Sequence, residues 1–155
     1  MRLLLDTTYM LPAIGVSVKG VPRDAVERLI EQGDEILFSD ISLFELSAKG
    51  ARYILDGVLS PDRVTRGISA ISHDDSVTKL PSYETSILRL AFALRKVLGD
   101  FIDCLILSSA ANHCEILVTE DDDIHRLKKE KKFEEVMSAG GSTCQVSALA
   151  EVLRR

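Results

Sequence analysis

The 155-residue chain lacks tryptophan, and aromatic residues make up only 5% of it. An extended platform for stacking nucleic-acid bases is therefore excluded. Cysteine is scarce, at Cys104, Cys114 and Cys144, with no CxxC pair. An odd, scattered set excludes a disulfide framework and a zinc knuckle, and points to a reduced, cytoplasmic compartment. Proline occurs four times, and no Pro/Gly-rich break or internal repeat interrupts the chain. One domain over residues 1–155 is the simplest organisation. Long apolar runs are missing as well. Cys104–Leu107 and Ile116–Val118 are far too short to cross a bilayer. The start, Met1 to Leu5, meets Asp6 at once and has no signal-peptide shape. Positive charge is in deficit. Lys plus Arg is 19 against 24 Asp plus Glu, a net charge of −5 that excludes a generally basic surface but leaves a local patch open.

Several catalytic signatures are also absent. His73, His113 and His125 show no HExxH spacing, the serines have no GxSxG setting, and no GxxxxGK[ST] loop occurs. His113 fits a helix C-terminus, and Cys104 a small core position.

What is present is the composition of a globular domain, 46% hydrophobic and 28% charged. Arg2–Leu5, Ile36–Phe38, Val77–Leu80 and Ile116–Thr119 read as buried strands, and Thr143–Val146 as an edge strand. Between them, helices are predicted over Thr7–Ile14 (limited by Pro12), Pro22–Glu31, Asp40–Leu55, Pro61–Ile71, Tyr83–Leu98, Phe101–His113, Asp121–Lys131 and Ala148–Arg154. Ser147 is the expected cap of the last. Strands alternating with helices give an α/β fold, a three-layer α/β/α sandwich with a central, mostly parallel sheet. Ligands in such folds gather beyond the carboxyl ends of the strands.

Acids occur at those ends. Asp6 follows the Leu3–Leu5 run directly, although a turn or cap acid has the same position. Glu45 is flanked by apolar residues but can pair with Lys49 one turn on. Asp103 is the only Asp, Glu, Lys or Arg between Asp100 and Glu115, in a segment otherwise apolar or small. A helix of that kind is buried, and an unpaired carboxylate in it either costs several kcal/mol or becomes neutral. A bound cation removes the cost; capping the first turn is the alternative. Asp121, Asp122 and Asp123 follow Thr119-Glu120 at the end of a strand, and Asp121 lies nearest that end. Four carboxylates sharing one space need something positive between them. Hard cations that prefer oxygen, Mg²⁺ or Mn²⁺, suit them. The only basic concentration, His125 to Lys132, could lay Lys128 and Lys129 along a phosphate backbone, or be a solvated helix. Lys49 and Arg52 follow Glu45 and could meet phosphates too.

Asp6 after a Leu-rich strand, Glu45 in the helix after the second strand, Asp103 in a small-residue helix and Thr119-Glu120-Asp121 after a strand together resemble the PIN-domain nucleases. The segment DCLILSSAANHCEILVTEDDDI, Asp103 to Ile124, carries the likeness furthest. The resemblance implies that Asp6, Glu45, Asp103 and Asp121 form an acidic metal site. Thr119 would be the hydroxyl that orders it, and Asp123 would replace or assist Asp121. Ile124 stands where the family often has an aromatic residue. The resemblance further implies a Mg²⁺- or Mn²⁺-dependent endoribonuclease acting on single-stranded RNA, a homodimer, and an antitoxin partner if the chain is a VapBC-type toxin. A non-catalytic PIN-like module that binds RNA or a protein is the competing expectation. A phosphatase is disfavoured because Asp6 is followed by Thr7-Thr8-Tyr9 rather than by a DxDx[TV] pattern, and a receiver domain because Arg2–Leu5 holds no paired acids.

Overall fold

Leu3, Leu4 and Leu5 of β1 (Arg2–Leu5) are all fully buried, as are Leu117 and Val118 of β4 (Ile116–Val118). Strands this apolar on both faces belong at the centre of a covered parallel sheet. The computed structural model, which describes residues 1–155, places them there. With β2 (Glu35–Ser39), β3 (Val77–Leu80) and β5 (Gln145–Ser147) they form one sheet in the order β3-β2-β1-β4-β5. Every neighbouring pair is parallel, so the sheet is wholly rather than mostly parallel.

The strand period divides the core in two. Leu3, Leu5, Ile36, Phe38 and Val118 pack on one side with Tyr9, Met10, Leu29 and Leu46. Leu4, Leu37, Leu117 and Val146 pack on the other with Ile87, Leu94, Ile106 and Phe133. Helices therefore cover both faces, the three-layer α/β/α arrangement. The first face carries a 3-10 helix (Thr7–Ile14), α1 (Ala25–Glu31), α3 (Pro61–Ser72) and α8 (Leu149–Val152). The second carries α4 (Thr85–Leu94), α5 (Phe101–His113), α6 (Asp122–Leu127) and α7 (Lys131–Ala139). α2 (Asp40–Leu55) sends Leu46 to the first core and Ile41 to the second. No helix is long and apolar enough to cross a membrane.

Several boundaries differ from those expected. Thr7–Ile14 is a 3-10 rather than an α-helix. Its interior Pro12 has no N–H to offer an α-helical ladder, and Gly15, at φ 99°, ends it. α4 stops at Leu94, where the N–H groups of Val97 and Leu98 both turn back on the Leu94 carbonyl at 2.9 Å. The single helix expected over Asp121–Lys131 breaks at Lys128–Glu130. A second helix, α7, follows it; its signal was Phe133, Val136 and Met137, apolar at i, i+3 and i+4. Ser147 lies in β5 and caps nothing. The cap is Ala148, whose N–H donates to the Glu151 carboxylate at 3.1 Å.

Candidate active site

The chain winds outward from β1 through β2 to β3, then returns to place β4 on the other side of β1. That reversal opens a crevice beyond the carboxyl ends of β1 and β4. Asp6 and Thr119 flank it. The Asp6 N–H still pairs with the Val118 carbonyl at 3.0 Å, so the strand ladder fixes this residue to the end of the sheet. Asp6 is 8% exposed, and its carboxylate accepts two hydrogen bonds, from the Thr7 N–H at 2.6 Å and the Thr119 hydroxyl at 2.8 Å. Burial pushes its pKa upward, those two hydrogen bonds oppose the rise, and the charges of Glu45 and Asp121 add to it.

Thr119 is fully buried and links two acids. Its oxygen donates to Asp6 and accepts from the Asp121 N–H at 3.1 Å. Asp121 caps α6, with Oδ1 accepting from the N–H groups of Asp123 and Ile124 at 2.8 and 3.0 Å. Asp123 itself is exposed and paired with Arg126. Of the acidic run, Asp121 is the one whose charge reaches both Asp6 and Asp103.

Glu45 approaches from α2. The i,i+4 pair with Lys49 forms, at 3.3 Å to Oε1, while Oε2 accepts from the Thr7 hydroxyl. Asp103 approaches from the first turn of α5. The capping role belongs to Asp100, whose carboxylate takes the Ile102 N–H at 2.8 Å. Asp103 is half-buried and has no hydrogen-bond or ion-pair partner. Desolvation first, then the like charges of Asp100, Asp6, Asp121 and Glu45, push its pKa up to about 7. Asp6, Glu45, Asp103 and Asp121 thus come from four separate segments, and the charges of the other three all act on Asp103.

The donor set is entirely oxygen. Cys104, next to Asp103, turns into the core toward the Leu98 carbonyl. Carboxylates gathered near a strand end suit a hard divalent cation. No three His, Cys, Asp or Glu side chains converge closely enough to hold a metal ion by themselves. Mg²⁺ characteristically takes one or two carboxylates and keeps several waters, so an open set fits it. Of the basic residues, Lys49 is engaged by Glu45, and Lys128 donates to the Val146 carbonyl at 2.5 Å. Arg52 and Lys129 are exposed.

Four neighbours of the site escaped the reading of the sequence. Thr7 joins Asp6 to Glu45, and a hydroxyl directly after a strand-end acid was its signal. The Tyr9 hydroxyl donates to Glu120 at 2.8 Å, and Glu120 also accepts the Leu149 N–H at 2.9 Å, which fastens the 3-10 helix to the turn after β4. The His125 ring contacts the Thr119 carbonyl at 2.8 Å. Ser42, three residues before Glu45 on α2, has a fully buried hydroxyl without a partner.

The PIN domain family model matches residues 3–130 of the chain. No curated protein matches it significantly. Among solved structures, VapBC2 of Rickettsia felis, crystallised on a DNA fragment of its promoter, is similar with a TM-score of 0.61 and 16% identity. That match covers 96% of this chain and 98% of the other. VapC20 of Mycobacterium tuberculosis, a toxin that cleaves the sarcin-ricin loop, is similar with a TM-score of 0.56 and 12% identity, over 80% and 94%.

Proposed function

Because the chain belongs to the PIN domain family, we propose that it is a divalent-metal-dependent endoribonuclease that hydrolyses single-stranded RNA. The observation that carries the reading is Asp103, a partnerless carboxylate that feels the charges of Asp6, Asp121 and Glu45, an arrangement that costs free energy unless a proton or a cation neutralises it. Asp6, Asp103 and Asp121 would hold Mg²⁺ or Mn²⁺ directly or through water, with Glu45 as a further ligand or the group that orients the attacking water. The ion, when bound, lowers the pKa of water and stabilises charge developing on the phosphodiester.

The chain's own residues prepare the site. Thr7 and Thr119 hold the Asp6 carboxylate in one orientation, so it need not reorganise as substrate arrives. Thr7 also sets the distance between β1 and α2 by binding Glu45. Asp121 spends one oxygen on the cap of α6, which leaves the other to the crevice. Asp103, unrestrained, is the acid free to follow the substrate. Asp123, held by Arg126, would assist only after leaving that pair.

The toxin half of a toxin–antitoxin pair is the biological setting we favour, since one similar structure is a VapBC complex and the other a VapC toxin. An antitoxin, a homodimer and a cytoplasmic location go with it. The Lys49 ammonium on Glu45 favours the second reading, a PIN-like module that binds RNA or protein without cutting it. Incubation of purified protein with single-stranded RNA and Mn²⁺ or Mg²⁺ separates the two. Cleavage that EDTA stops and Asp103→Asn abolishes, in a variant with wild-type circular dichroism, supports the enzyme. Cleavage unaffected by Asp103→Asn, or none by the wild type with either metal, removes it.

A further inference from the structure

α4 and α7 face each other with matched patterns. α4 presents Ser86, Arg89, Leu90 and Ala93, and α7 presents Lys132, Glu135, Val136 and Ala139, each set at i, i+3, i+4 and i+7 on one helical face. The small residues Ala93, Ala139 and Gly140 leave space between the two helices' longer side chains, an open groove of about 660 Å³. Its charged lining is Arg89, Lys96, Lys132 and Glu135. None of the three cations has an ion pair, whereas Glu135 is already paired with Lys131 at 3.8 Å. A chain of net charge −5 thus concentrates three free cations in one furrow.

The furrow leads toward the acids. His113, at the end of α5, binds Glu84, just before α4, at 2.9 Å, so the two helices run antiparallel. Lys96, just past α4, therefore lies at the end of α5 that carries Asp103. α6 starts at Asp121, and the α6–α7 crossover must return to the opposite edge of the sheet, where parallel β5 begins. Lys132, in the first turn of α7, is accordingly at the acid end as well.

We propose that the α4–α7 groove is a track for the phosphate backbone of single-stranded RNA, gripping nucleotides that extend beyond those in the acid pocket. The proposal rests on the nuclease reading for its ligand but uses none of the four acids. Charge decides between occupants: three unpaired cations over an apolar floor complement a polyanion, and the scarcity of aromatics makes the grip electrostatic rather than stacked.

The test is fluorescence-anisotropy binding of a single-stranded RNA of about 20 nucleotides in EDTA, across a salt series, for wild type and the triple variant Arg89→Ala, Lys96→Ala, Lys132→Ala. Lys19→Ala, Arg66→Ala and Arg154→Ala, three exposed cations elsewhere, are combined as a charge control. The groove variant is expected to bind about tenfold more weakly. Its log–log salt slope should be shallower by roughly 2, at about 0.7 per lost phosphate contact. The charge control should stay within about twofold of wild type. Equal binding by wild type and groove variant overturns the track, as does an equal loss in the charge control. Tighter groove-dependent binding of polyglutamate than of RNA overturns it in favour of an acidic protein segment. Because EDTA removes catalysis from the readout, an inactive enzyme that still binds through the groove refutes the nuclease reading and leaves the track standing.

Discussion

Asp103 shows how much a single residue reveals and how much it withholds. Its isolation in Phe101–Ala111 marked it as a carboxylate that burial would not tolerate unaided, and it is indeed the acid left without a partner. The direction of its pKa shift makes a prediction. The folded-state value, about 7, is above the ordinary 3.8, so folding favours the protonated form. This stabilising contribution is complete below pH 3.8 and is lost as pH rises through about 7. Asp103→Asn removes the titration. Without metal, the variant should melt above the wild type at pH 8, with the gap closing at pH 5; thermal melts at both values check this, and a gap independent of pH contradicts it. Glu45 was less legible. Its sequence allowed either a surface pair or a site acid, and the structure gives it both contacts, Lys49 on one oxygen and Thr7 on the other. The contact between Thr7 and Glu45 spans 38 positions and leaves no local periodicity in the sequence.

Secondary-structure elements were legible where caps and apolar periods agreed. α5 matches its expected bounds because Asp100 caps it and its buried run is unbroken. The Lys128–Lys132 region was misread because a run of charges hid the turn that separates α6 from α7. Packing between elements was not legible at all. Gly67 lets α3 lie against the 3-10 helix, where an added Cβ would be 2.4 Å from the Ala13 carbonyl oxygen. That backbone follows Thr7, which holds both Asp6 and Glu45. In an ordinary helix Gly→Ala gains up to about 1 kcal/mol. Here Gly67→Ala should destabilise by about 1–3 kcal/mol, the cost of overpacking. Urea denaturation checks the sign, and a stabilised variant would contradict the packing described.

At the scale of the molecule, alternation of strand and helix sufficed to anticipate a three-layer parallel fold, because each apolar strand needs cover on both faces. Strand order was beyond it. The crevice depends on β4 returning beside β1, and that contact is set by the whole core rather than by any motif. Exposed apolar surface remains. Phe92 of α4 is 60% exposed and stacked on Phe101 at 5.8 Å, while Phe44 and Tyr83 are 65% and 74% exposed. A second copy of the chain would cover part of it. Analytical ultracentrifugation at micromolar concentration should show a dimer, and monomer alone would count against this.

A divalent-ion site built from Asp6, Glu45, Asp103 and Asp121 is a proposal that ion binding tests most directly. Calorimetric titration of the purified protein with Mn²⁺ at pH 6 and pH 8 addresses it directly. We predict saturable binding that is stronger at pH 8, where Asp103 is ionised, releases protons near pH 7, and is lost in Asp103→Asn. Binding that is the same at both pH values and survives Asp103→Asn would place the ion elsewhere and contradict the account.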